Sequence, residues 1–264
     1  AAGRHYLARM GRSTGVPDRA LIHVAVRTLG LSEVKPFDPQ RAIIEARLAS
    51  PAPLVGLSLA GFADELSSDS PAPGGGSVAA YAGALAAGLA TMVANLSHPK
   101  RGFEAKQPAL ERIAVRGQAL KDRLLAAVDA DTAAFDQYLA AMRMPKETAG
   151  ERALRDAAMV VATIATIEVP LGTLEACPEI VKLCLEIGEI GLQASLSDAG
   201  TGAAMARAAA SGAYQNVCIN LPGLADRQAA SRLLARADAA WARTRDLAAQ
   251  AEAKFVDGLR QAAG

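Results

Sequence analysis

The chain has 264 residues, and at about 150 residues per domain it has room for one or two domains. Hydrophobic residues make up 51% of it, ample for a packed core, which excludes a disordered chain. Twenty-eight Lys and Arg against 27 Asp and Glu leave a formal charge of +1, and so small a basic excess argues against nucleic acid as a partner.

Alanine fills 61 positions, while aromatic residues account for only 4%. Alanine is the best helix former, and the β-branched and aromatic residues that strands prefer are sparse. An all-α body is the expectation: a bundle of long antiparallel helices.

The opening stretch AAGRHYLARMGRSTG has no apolar run of the signal-peptide kind and no initiator Met, so a fragment or processed product is expected. A helix then runs from about Pro17 and stops at Gly30. A second has Asp38 as its N-cap and Pro39 at its first position. SPAPLVG follows as a Pro-bounded linker. Two short helices make too small a core to fold alone, so residues 1–50 are expected to be an appendage docked on something else, set apart from residues 51–264. A short helix is expected over about Ser58–Leu66. SPAPGGGSV opens a long Ala/Gly-rich helix to about Leu96. Its uncharged stretch from Pro71 to Ser97 reads as a helix buried in protein rather than a membrane span, because Ala and Gly carry little transfer energy. SHPKRGFEAKQP is a polar connection. A very long helix spans about Pro108–Met142. Another begins after Thr148, with a kink expected at Pro170, and Pro178 opens a further segment. SLSDAGTG reads as a loop, followed by helices over about Ala203–Asn220 and Asp226–Leu259.

Chemistry concentrates at a few positions. The apolar stripe of the Pro108–Met142 helix runs Leu120, Leu124, Val128, Phe135, Tyr138, Met142, and Asp131 falls inside it. Asp129 is in phase with Asp122 and Asp136 on the opposite, solvated face. A carboxyl on an apolar stripe is desolvated, its pKa rises, and it can trade protons near neutral pH. The alternative is a core Asp satisfied by backbone donors at a helix start. Gly74, Gly75, Gly76 and Ser77 leave free amide groups at the positive end of a helix dipole, suited to an anion or a carbonyl oxygen. No Gly-Lys-Ser/Thr follows, so this is not a Walker A loop. Asp198 is either a pocket residue or a cap. Asn216 and Asn220 share one helix face and offer amide groups to a heterocycle or to nearby backbone. Lys100, Arg101 and Lys106, with Arg143 and Lys146, are candidates for holding a polyanionic small molecule, the alternative being solvated loops. Glu168 lies on a mainly apolar segment. Three cysteines and three scattered histidines suggest neither a metal site nor a disulfide framework, and fit a reducing cytoplasm.

SDSPAPGGGSVAAYAGALAAGLATMVANL, VDADTAAFDQYLAAMRMPK, EVPL, SDAGTGA and GAYQNVCINL, in that order, resemble the formimidoyltetrahydrofolate cyclodeaminase family, which includes related methenyltetrahydrofolate cyclohydrolases. The resemblance covers about Leu54–Leu259. The first 50 residues resemble the C-terminal end of a glutamate formiminotransferase domain, a short helical remnant of an α/β domain. The resemblance implies homodimers or larger homo-oligomers that bind folate between helices, with no metal and no cofactor beyond the folate itself, and neither nucleic acid nor membrane as partner. It implies conversion of 5-formimidoyltetrahydrofolate to 5,10-methenyltetrahydrofolate and ammonia, a step of histidine degradation, with Asp131 as the catalytic acid. The glycine turn, Asp198, Asn216 and Asn220 would line the pocket, and the five basic residues would hold a polyglutamate tail. No formiminotransferase activity is expected from so short a piece of that domain. The alternatives are the cyclohydrolase reaction and a non-catalytic helical dimerisation module. The Ala/Gly face of the helix from Gly74 is the expected dimer surface.

Overall fold

The computed structural model describes residues 1–34, 36–44 and 54–263. Among them every regular element is helical. Four short helices come first: α1 (Ala2–Arg9), α2 (Asp18–Thr28), α3 (Leu31–Val34) and α4 (Pro39–Ala42). After α5 (Leu59–Leu66) comes the body: α6 (Gly75–Ser97), α7 (Gln107–Met142), α8 (Ala149–Ile190), α9 (Leu196–Asn220) and α10 (Arg227–Ala263).

The body alternates in direction. Ser77 meets Asp131 while Gly117 faces Thr91, so α6 and α7 are antiparallel. Arg112 pairs with Glu186 and Arg116 with Glu179, which sets α7 against α8. Asn220 reaches Thr166 and Gly202 packs on Cys184, which sets α8 against α9. Tyr214 bonds Asp238 and Arg207 pairs with Glu252, which sets α9 against α10. The Ala/Gly-rich α6 lies innermost because small side chains let three neighbours approach closely. Ala86, Ala87, Ala90 and Ala94 are fully buried, and a Cβ on Gly117 would lie 2.3 Å from Thr91 Oγ1. The larger side chains of the core come from α7 and α8: Leu110, Ile113, Leu120, Leu124, Ile167, Leu171, Ile180 and Ile187. Helices α6 and α8 are both long and apolar enough to cross a membrane, and 61% of the most apolar stretch of α6 is buried within the protein.

Several expectations need correction. The Ala/Gly face of α6 is covered by this chain's own α7, α8 and α9, and beyond Gly75 at its start what α6 leaves exposed is Val78, Leu85, Met92 and Leu96. Helix α8 runs through both Pro170 and Pro178 without ending. Pro170 removes the N–H that would bond the Thr166 carbonyl. That carbonyl instead accepts Asn220 Nδ2 from α9 at 2.9 Å. SLSDAGTG is no loop: α9 starts at Leu196, so Asp198 lies in its first turn. Helix α1 was not foreseen.

The start of α8 follows the sequence. Thr148 Oγ1 accepts the Glu151 N–H, and Glu151 Oε2 accepts the Thr148 N–H, a reciprocal cap. The N-terminal helices attach at the far end of the bundle. Thr14 donates from N and Oγ1 to the Glu111 carboxylate, and Asn95 Nδ2 donates to the Gly15 carbonyl at 2.8 Å.

Candidate active site

Helix α6 begins on Gly74, which has no side chain to cap it, so the N–H groups of its first turn lack a partner from their own helix. Asp131 of α7 supplies one. Its carboxylate accepts the Ser77 N–H and takes the Ser77 hydroxyl at 3.1 Å on Oδ2. Gly76 makes the approach possible: a Cβ there would stand 2.2 Å from Asp131 Oδ1. The Ser77 side chain is wholly buried, and its Oγ also lies 3.0 Å from the Val128 carbonyl and 3.3 Å from Thr132 Oγ1. Burial pushes the Asp131 carboxyl up, the two Ser77 donors pull it down, and burial prevails, so the acid sits above the usual carboxylate range. The two readings left open by the sequence therefore coincide. Asp131 is both the cap of a helix start and a desolvated acid.

Asn216 stands beside this turn. A Cβ on Gly75 would come within 3.2 Å of its Nδ2, which donates to the Gly212 carbonyl. Asn220 is turned toward α8, where its amide is spent on the Thr166 carbonyl. Gly76 and Ser77 are buried, so they seat Asp131 rather than face a ligand, whereas Gly75 is exposed and Gly74 half-exposed.

Other candidates lie elsewhere. Asp198 is at the opposite end of α9, roughly 27 Å from Asn216 at 1.5 Å per residue. The five basic residues form no cluster. Lys100, Arg101 and Lys106 precede α7 and Arg143 and Lys146 follow it, so roughly 54 Å of helix separates the two groups. Lys106 Nζ bonds the Ile190 carbonyl at the end of α8 and lies over the Phe103 ring. Glu168 is exposed and shares Arg236 with Glu175. No group of three or more His, Cys, Asp or Glu gathers among the described residues to hold a metal.

The sequence did not foresee the groove. Residues 54–62 fold over α6 and α7 and enclose about 600 Å³, lined by Leu54, Phe62, Tyr81, Leu125, Val128 and other apolar residues. Val128 is one turn before Asp131, but Asp131 itself does not line the groove, which runs from Val128 and Tyr81 toward Lys121 and Met92. The cover is held by Asp129, whose Oδ1 accepts the Leu54 N–H at 2.8 Å. Asp129 is thus half-buried, while Asp122 and Asp136 are exposed as expected. A mainly apolar groove of this size, with Ser58 and Lys121 its polar side chains, suits a flat organic ligand.

Residues 58–239 match the sequence model for formiminotransferase-cyclodeaminase, and residues 1–49 match that for the formiminotransferase domain. The chain is 36% identical over 208 residues to mouse formimidoyltransferase-cyclodeaminase, covering 78% of this chain and 38% of that one. It is 35% identical over 173 residues to the methenyltetrahydrofolate cyclohydrolase of Methylorubrum extorquens, covering 66% of this chain and 83% of that one. The crystal structure of formiminotetrahydrofolate cyclodeaminase from Thermotoga maritima superposes with a TM-score of 0.68 at 27% identity, over 77% of this chain and 97% of that one. The chain spans about two fifths of the length of the animal relatives it matches. With most of the bundle inside the matched region, the chain belongs to the formiminotransferase-cyclodeaminase family.

Proposed function

We propose that this chain converts 5-formimidoyltetrahydrofolate to 5,10-methenyltetrahydrofolate and ammonia, with Asp131 carrying the proton. The observation that carries the reading is a desolvated acid capping the start of a glycine-led helix, with Asn216 beside it. The amidinium carbon on N5 is attacked by N10, forming the N10–C bond. Asp131 takes the N10 proton and gives it to the former imine nitrogen. The C–N bond to that nitrogen then breaks, ammonia leaves, and the carboxylate is restored. The raised pKa brings the acid nearer the neutral range in which it can both accept and return the proton. The reaction also needs the substrate folded so that N10 reaches the carbon, an orientation effect.

The similarity to a cyclohydrolase of nearly full length favours one second reading, in which water attacks the same bridging carbon. One assay separates them: methenyltetrahydrofolate absorbance is followed with formimidoyltetrahydrofolate as substrate, and its decay with the methenyl compound supplied. Appearance of product with ammonia, lost in Asp131→Asn, is the expected result. Accelerated decay alone selects the cyclohydrolase.

The family relationship supports a place in histidine degradation in the cytoplasm, a formiminotransferase remnant over residues 1–50, and a homodimer or larger homo-oligomer. Leu154, Val161 and Ile219 expose 66%, 67% and 76% of their surface, apolar side chains of the kind a second copy covers. Sedimentation equilibrium is expected to give at least twice the monomer mass, and a monomer at micromolar concentration overturns this.

A further inference from the structure

Ser77 stands at the centre of a small buried network. Its side chain is wholly buried, and it has one proton to donate against three oxygens in reach. These are the Val128 carbonyl at 3.0 Å, Asp131 Oδ2 at 3.1 Å and Thr132 Oγ1 at 3.3 Å. A hydroxyl rotates freely between acceptors, while a carbonyl can only accept. We propose that Ser77 is a positioning residue whose hydroxyl follows the charge of Asp131, turning to the carboxylate when it is ionised and to the Val128 carbonyl when it is protonated. In the first state Ser77 Oγ–H donates to Asp131 Oδ2. In the second the carboxyl O–H donates to Ser77 Oγ, and the Ser77 proton goes to the Val128 carbonyl. Both states leave the hydroxyl and the carboxyl paired, and no heavy atom has to move between them. That matters because an unpaired buried polar group is costly, so a carrier that gains and loses a proton in each turnover needs partners in both forms.

Few other groups face Asp131. From α6 there are the Ser77 N–H and Oγ and the Gly76 backbone, while Thr132 Oγ1 of α7 contacts the Ser77 hydroxyl. Asn216 of α9 stands across Gly75. Asp129, the nearest acid on α7, is turned to the Leu54 N–H. Among the described residues the groups that bond Asp131 are the Ser77 N–H and hydroxyl, neither of them charged, and of the two the hydroxyl can turn in answer to its ionisation.

The inference rests on Asp131 being the proton carrier, so the test reads titration and turnover separately. The Asp131 carboxyl is titrated by carbon NMR in aspartate-labelled protein, with Asp131→Asn assigning its resonance, in the native chain and in Ser77→Ala. The expected result is an upward shift of about one pH unit in Ser77→Ala, the size of one charge-assisted hydrogen bond. The limb of the pH–rate profile for ammonia release is expected to move by the same amount. Ser77→Cys, a weaker donor of similar shape, should shift less and is the substitute if the alanine variant does not fold. An unshifted titration overturns the inference whatever the turnover, and so does a shifted titration with an unmoved limb in active enzyme. If the native chain releases no ammonia, the proposed reaction falls, and the hydroxyl's coupling to Asp131 is judged on the titration alone.

Discussion

At the scale of the residue, Asp131 is costly to ionise and yet built in. Burial raises its pKa, and the folded state therefore binds a proton more tightly than the unfolded chain. The consequence has a definite sign. Stability falls as pH rises from the unfolded pKa through the raised folded one, so the charged acid costs stability at neutral pH. Asn keeps the cap, because Asn and Asp serve helix starts equally well, and it never ionises. Asp131→Asn is expected to melt no lower than the native chain at pH 7, with the difference closing as pH falls toward 4, while turnover drops about 100-fold or more. A scan of melting temperature against pH checks the first claim, and a variant that melts lower at pH 7 contradicts it. Gly76→Ala should act on the same acid by a different route. A Cβ 2.2 Å from Oδ1 must displace the carboxylate, at a cost of about 1–3 kcal/mol and with loss of turnover. The inward position of Asp131 was legible because the stripe along α7 has a helical period. The role of Asp129 was not, because phase along one helix is blind to a segment that folds back over it, as residues 54–62 do.

At the scale of the element, helix α8 shows tertiary structure overriding local rules. A proline inside a helix costs about 3 kcal/mol in isolation, largely through a lost hydrogen bond and a clash. Here Asn220 answers the freed Thr166 carbonyl from a neighbouring helix, and Pro170, Leu171, Leu174 and Pro178 are all buried. The sequence revealed an Asn where an apolar helix has no use for one, but it named no partner, because a carbonyl orphaned in one helix and an amide on another meet only in the fold. Asn220→Ala is expected to leave that carbonyl unbonded, lowering stability by about 1–3 kcal/mol and the melting temperature by about 2–4 °C for each kcal/mol. Turnover should change little, since the side chain points away from Asp131. The extension of α9 through SLSDAGTG has a similar cause. Gly200 and Gly202 weaken the local preference for helix, yet they give the room that Phe255 and Cys184 occupy, so packing favours the helix there.

At the scale of the whole molecule, the alternating helices give the bundle two distinct ends, with Asp131 and the start of α6 toward one and the N-terminal helices at the other. The basic residues divide the same way, so those after α7 should affect recognition of a polyglutamate tail more than Lys100 and Arg101 before it. Alanine at Arg143 and Lys146 is expected to raise KM for a polyglutamylated substrate and not for the monoglutamate, and equal effects from both pairs would contradict this. The far end owes its attachment to Glu111. Burial pushes its pKa up, but the Thr14 and Ser13 donors and the His98 ring 3.9 Å away outweigh it, and the carboxyl lies below its ordinary value. For an acid depressed in the folded state, the linked stability is present above the unfolded pKa and is lost as pH falls through the folded one. The ionised carboxylate is thus what holds residues 13–15 on the bundle, together with the Asn95 amide on the Gly15 carbonyl. Hydrogen exchange resolves this locally. In the native chain, protection over α1 and α2 is expected to weaken on acidification below about pH 4 while α6–α9 stay protected. In Glu111→Gln, which keeps the shape but cannot ionise, α1 and α2 should already exchange faster at pH 7 and show no further step with acid. Equal protection in the two chains at pH 7 would mean that the contacts of Asn95 and the close seat of Gly15 on Ala114 hold the segment without the charge.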